Sequence, residues 1–193
     1  GADDDGTGTV ALLEIAEAFM AAKRAGHSPR RSILIMTVSG EEKGLLGSSY
    51  YVGHPVISLE NTVADLNIDM IGRNDIAHED TTNYIYIIGS NMLSTDLHKA
   101  NEKANQQYTG LTLDYKFNRL DDPNQFYYRS DHYNFAKNNV PSIFYFSGVH
   151  EDYHQPGDDI EKVNFLKVER VARLVFHTAW EIANNNHRPR LDF

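Results

Sequence analysis

Strands that alternate with helices along 193 residues predict an α/β fold, a three-layer α/β/α sandwich around a mostly parallel mixed sheet. Three observations carry that prediction. Near-continuous apolar and β-branched runs, SILIMTVSG (32–40), YIYIIGS (84–90) and VPSIFYFSG (140–148), have the pattern of strands covered on both faces. Helical periodicity occupies stretches between them and closes the chain. No repeat, low-complexity tract or linker interrupts the order, so residues 1–193 read as one domain with enough apolar material for a sizeable core.

Taken in order, TVALLEIAEAFMAAKRA (9–25) places Leu12, Ile15, Ala16 and Phe19 at helical spacing, with Thr7 or Thr9 as cap and Gly26 as stop. The run at 32–40 is a buried strand, followed by a short helix over 45–52. NTVADLNIDMIG (61–72) reads as a second buried strand that ends at Asp69, and 84–90 as a third. Residues 94–107 form a polar amphipathic helix, 111–117 a weaker, edge-like strand, and 118–130 a loop. Ser130 is the expected N-cap of a helix beginning SDHYNFAKNN, and 140–148 is the last strong strand. The turn-rich segment HEDYHQPGDDI (150–160) precedes a closing helix over 165–185.

Composition narrows function. The formal charge is −9, from 27 acidic and 18 basic residues, a field that repels phosphate backbones and excludes nucleic acid as the expected partner; cationic groups or a bound metal fit it better. The absence of cysteine removes disulfides and thiolate metal sites, so a metal would have to be held by His, Asp and Glu. No apolar run approaches the roughly 20 residues of a membrane span, and no signal-peptide pattern is present. The opening Gly-Ala-Asp-Asp-Asp reads as the start of a processed or trimmed product.

In an open α/β sheet, ligands bind at the carboxyl ends of the strands. Several polar clusters fall there, each with an ordinary alternative. Glu41 and Glu42 follow the run at 32–40 and precede Gly44 and Gly47. They are either solvated surface or a pair that divides its work, one carboxylate on a metal and its neighbour one water away as base. Asp3, Asp4 and Asp5 are either the acidic first turn of a helix or a cluster whose mutual repulsion demands a cation. Asp69 follows Leu66 and Ile68 and needs a partner, for which an ion pair with Arg73 is the simple alternative. Of nine histidines, His154 in EDYHQPGDD is the candidate ligand, flanked by acids and Tyr153; His150 and His132 are weaker, and His132 falls in a helical first turn where packing suffices.

GADDDGTG, SGEEKGLLGS, LNIDMIG and YHQPGDD, in this order, resemble the two-zinc aminopeptidase family of metallopeptidases, related to glutamate carboxypeptidase, glutaminyl cyclase and the transferrin receptor. The resemblance spans almost the whole chain. It implies two Zn²⁺ ions, with Mn²⁺ or Co²⁺ as substitutes. Asp4 would bridge them, Glu42 and His154 would complete one site, and Asp69 would belong to the other. Glu41 would be the general base, and Tyr153 would stabilise the oxyanion of a tetrahedral intermediate. The implied activity is zinc-dependent hydrolysis of N-terminal peptide bonds in a peptide substrate, and the implied location is secreted or periplasmic. The rival readings are a non-catalytic binding module of the same fold and a single-zinc glutaminyl cyclase.

One part of the family pattern has no counterpart. A ligand histidine in a His-x-Asp segment, with its strands and helix, lies upstream of the GADDD turn in the family. The expectation is therefore a C-terminal part of a longer enzyme, with the N-terminal portion as partner and a central sheet edge left uncovered. SDHYNF also departs from the family's continuation towards proline and phenylalanine, which bears on the substrate pocket and leaves the metal residues untouched.

Overall fold

A computed structural model describes residues 1–193. Its helices are α1 (Gly8–Arg24), α2 (Leu46–Gly53), α3 (Thr95–Ala104), α4 (His132–Ala136) and α5 (Phe165–Asn184). Its strands are β1 (Asp65–Ile68), β2 (Tyr84–Ile88), β3 (Thr112–Asp114) and β4 (Ser142–Phe146), arranged in the order β1-β4-β2-β3. The β1–β4 and β2–β3 pairs are parallel and β2–β4 is antiparallel, so the sheet is mixed and mostly parallel.

Strand periodicity sorts the core into two layers. Ile85, Ile87, Ile143 and Tyr145 point to one face and pack with Ile15 of α1, Leu97 of α3 and Val171 of α5. Their neighbours Tyr84, Tyr86, Phe144 and Phe146 point to the other, against Phe117, Phe126, Tyr127 and Ala136 of α4. With α2 packed behind α4, the three layers predicted from sequence are present.

Helix ends follow local chemistry where a partner is in reach. Ser94 caps α3 by accepting the Leu97 N–H at 3.3 Å, and Asn164 caps α5 by accepting that of Lys167 at 3.1 Å. Gly26, at φ +85°, ends the first helical segment as expected. Gly8, which opens α1, is needed for close approach: a Cβ there would lie 2.3 Å from both the Ile68 carbonyl oxygen and Asp5 Oδ1.

Several expectations are corrected. The run at 32–40 joins no ladder, and Leu34 is 54% exposed. Its apolar character is that of a strand, but a strand also needs a partner for its backbone groups, and none lies beside it. A cavity of about 1080 Å³ separates Ile33, Ile35 and Val38 from Leu66 and Asn67 on the free edge of β1, with Phe19 and Ile182 also lining it. β1 is an end strand of the sheet, and its outer edge is unpaired. The weak strand shortens to Thr112–Asp114, paired only to β2, and α3 gives way at Asn105 to a wider turn through Thr109. Ser130 does not cap α4, because its hydroxyl is directed to Asp69.

Candidate metal centre

The three aspartates take three directions. Asp3 is fully buried, accepts the Gly72 N–H at 2.7 Å and the Thr7 hydroxyl at 2.8 Å, and sets its second oxygen 3.3 Å from His150 Nε2. Asp5 accepts the backbone N–H groups of Gly8 (3.0 Å) and Met70 (3.2 Å), tying the start of α1 to the end of β1. Asp4 alone is left to face the cleft. The capping account therefore holds for Asp5 and fails for Asp4.

Glu41 and Glu42 lie in a single tight turn bracketed by Gly40 (φ +73°) and Gly44 (φ +99°), left-handed positions that glycine takes without steric cost. The Glu41 carbonyl accepts from Gly44 (3.0 Å) and Leu45 (2.8 Å), which fixes the turn. His154 arrives from the 150–158 loop with φ +56°, a strained backbone position for a non-glycine residue. Its Nε2 lies 3.0 Å from Glu42 Oε1 and 3.3 Å from Asp4 Oδ2, and its ring stacks on Tyr153 at 3.8 Å. One donor atom each from Asp4, Glu42 and His154 falls within 4.8 Å of the other two.

Asp69 lines the same cleft, outside that tight trio. Its Oδ2 accepts the Ser130 hydroxyl at 2.8 Å, and its Oδ1 is buried with no hydrogen-bond partner. Arg73 does not pair with it; that guanidinium bonds Asp152 at 3.0 Å. Tyr153 accepts a hydrogen bond from the Arg129 guanidinium at 3.0 Å, and Arg129 also lies 5.0 Å over the Phe126 ring. The sequence-predicted residues thus meet at one cleft. Ser130, Arg129 and His150 were missed as partners. Arg129 and Ser130 stand together in the order RSDH (129–132), but nothing in residue type distinguished a hydroxyl that caps a helix from one that reaches a carboxylate.

The electrostatics are those of crowded acids: Arg129 also lines the cleft, but its guanidinium is spent on Tyr153. Burial, followed by the charges of Asp69, Glu42, Asp131 and Asp4, pushes the Glu41 carboxyl up to about 8. Burial also raises Asp69 to about 7, against the opposing Ser130 hydrogen bond. Asp4 is raised by burial and then by the charge of Glu42. Mixed oxygen and imidazole donors, an orphaned carboxylate oxygen and like charges held together fit a divalent cation: the group that relieves the repulsion is the one the donors suit.

Fold and cluster together define a class: α/β/α domains with a mixed sheet that gather carboxylates and an imidazole around Asp69, just past the carboxyl end of β1. The chain belongs to peptidase family M28, whose family model matches residues 1–179. It is 29% identical over 189 residues to a probable leucine aminopeptidase of Arthroderma benhamiae, covering 95% of this chain and 48% of the relative. It is 28% identical over 226 residues to a probable zinc metalloprotease of Pyrenophora tritici-repentis, covering 98% and 45%. Among solved structures, a zinc aminopeptidase from Bacillus subtilis shares the fold, with a TM-score of 0.76, 24% identity, and coverage of 94% of this chain and 42% of that one. The chain spans about half the length of the curated relatives it matches. No helix is long and apolar enough to cross a membrane.

Proposed function

We propose that this domain carries the metal-binding half of a zinc-dependent exopeptidase that removes N-terminal residues from peptides. The observation that carries the reading is the convergence of Asp4, Glu42 and His154, far apart in sequence, into one donor set. Asp4, Glu42 and His154 would hold one zinc ion; the free oxygen of Asp4 and the unpartnered Oδ1 of Asp69 would serve a second, with manganese or cobalt as substitutes. When bound, the metal supplies Lewis-acid polarisation of the scissile carbonyl and lowers the pKa of water.

The chain's own residues do the rest. Glu41, beside the trio and engaged in no side-chain hydrogen bond, takes the proton of the attacking water and returns it to the leaving amine. Tyr153, steadied by Arg129, offers its hydroxyl to the developing oxyanion. Asp69 is held in register by Ser130, so its orphan oxygen keeps one direction.

The remaining part of the reading is a partner. An N-terminal portion of the same protein would supply the family's further ligand histidine and fill the slot between residues 32–40 and β1. Two unpaired backbone edges and the apolar cavity between them support that assignment. A single-zinc glutaminyl cyclase is the second reading, favoured by one observation: the tight donor group serves one ion.

The experiment is metal analysis of the full-length parent protein, with hydrolysis of a panel of aminoacyl-anilides. Two metals per chain and anilide hydrolysis are expected; one metal and cyclisation of N-terminal glutamine would select the second reading. Glu41→Gln should keep metal and lose turnover by roughly 10²–10⁴-fold. Asp4→Ala should lose the metal itself. Ordinary peptidase rates in Glu41→Gln would refute the base assignment.

A further inference from the structure

Asp4 reaches the cleft because its backbone is held from outside. Three successive N–H groups at the start of the chain turn towards one residue more than 150 positions away. The Ala2 N–H donates to the Asp158 carbonyl at 2.8 Å, and the Asp3 N–H lies 3.1 Å from both Asp158 carboxylate oxygens. The Asp4 N–H donates to Asp158 Oδ2 at 3.0 Å. Consecutive N–H groups that curl around an anion form a concave nest, and here the anion is part of the protein. Asp158 is buried, so its carboxylate depends on these donors for the solvation it has lost.

The same loop delivers the imidazole. His150, His154 and Asp158 stand four residues apart, and each engages the aspartate turn. His150 Nε2 lies 3.3 Å from Asp3 Oδ2, His154 Nε2 lies 3.3 Å from Asp4 Oδ2, and Asp158 takes the N–H groups of both aspartates. The loop is itself pinned midway, where Asp152 accepts from Arg73 (3.0 Å) and from Lys162 (2.7 Å). One short segment therefore presents a candidate ligand side chain and, four residues on, the clamp that orients its partner's backbone.

We propose that Asp158 is a positioning residue for the metal centre: by accepting the Asp3 and Asp4 N–H groups it presets the direction of the Asp4 carboxylate relative to His154, and so sets metal affinity without touching the ion. This rests on the assignment of Asp4 and His154 as ligands. A carboxylate suits the site better than an amide: Oδ2 accepts from both N–H groups and Oδ1 shares that of Asp3, so an asparagine with its oxygen at the Oδ2 position would turn its NH₂ towards the Asp3 N–H. The clamp forms within the apo protein, and the affinity it confers comes from geometry that need not be reorganised on binding.

The test is zinc titration of the full-length parent protein against a competing chromophoric chelator, with thermal melting of the apo form alongside. Asp158→Asn should weaken zinc by roughly 10–100-fold, the range typical of residues that orient ligands, while the apo melting temperature stays close to that of the parent. Asp158→Glu, which keeps two accepting oxygens, should recover part of the affinity. Zinc affinity within twofold of the parent in Asp158→Asn overturns the proposal, as does an affinity loss fully matched by loss of apo stability. If Asp158→Asn does not fold, hydrogen exchange of the parent apo protein decides: slow exchange at the Asp3 and Asp4 amides before zinc is added supports the clamp, and exchange at the rate of free peptide overturns it. Asp4→Ala and His154→Ala serve as the control. If these also leave zinc affinity unchanged, the ligand assignment has failed, and the clamp falls with it for that separate reason.

Discussion

Two β-rich runs of similar composition have opposite fates in this molecule. YIYII in β2 lies between β4 and β3, and every residue from Tyr84 to Ile88 is fully buried. ILIMTV at 33–38 is as apolar and as β-branched, but it flanks a cavity of about 1080 Å³ and pairs with nothing. The difference lies outside either run. β-propensity describes the fit of a residue to a pleated, half-covered surface, so it takes effect only when neighbouring strands supply that surface. β2 is closed in by a partner on each side, whereas the edge of β1 beside this run is open.

The comparison can be broken at several points. The largest contrast should appear in hydrogen exchange. Amides of Ile85–Ile88 should open only with the whole domain, at about 5–15 kcal/mol, whereas those of residues 33–38 should open at close to 0. Equal protection in mass-spectrometric exchange would erase the distinction. Next, Ile87→Ala, in the closed side's core, should cost about 2–5 kcal/mol in urea unfolding.

A smaller effect concerns acid. His132, fully buried with both ring nitrogens unpartnered and stacked 4.9 Å from Phe144, is held down to about 3 by burial. It is neutral in the fold and takes a proton in the unfolded chain below its ordinary value of 6.5. Its contribution is complete above that pH and is lost as pH falls towards 3. At pH 4.5 the loss should be about 2–3 kcal/mol relative to pH 7, and His132→Phe should remove that part of the acid sensitivity in paired urea titrations. The smallest change belongs to the open side. Leu34→Ala should stay within about 0.5 kcal/mol, as for an exposed site. A loss of Ile87 size there would show that the run is packed after all.

What was legible in the sequence follows the same division. β2, β4, α1 and α5 declare themselves through periodicity, because both their faces or one full stripe are buried by this chain itself. The four motifs placed Asp4, Glu41, Glu42, Asp69 and His154 at one edge, and the cleft gathers them. The run at 32–40 was misread because laddering is a property of pairs. Ser130 was misread because a hydroxyl before a helix and a hydroxyl beside a buried acid look alike until Asp69 is seen 2.8 Å away. Asp158 stands within the motif YHQPGDD, but its role was hidden: its partners are backbone N–H groups, which nearly every residue owns, and the contact spans most of the chain.

The unladdered segment also decides how the isolated domain will behave in a concentrated solution. Six residues without charge, proline or glycine, with donors and acceptors unspent, are a template for another molecule's strand. Copies would add to one another edge to edge, so low yield or fibrillar precipitate during expression would be a consequence of this one stretch, curable by a lysine on its outward face rather than by any repair of the core.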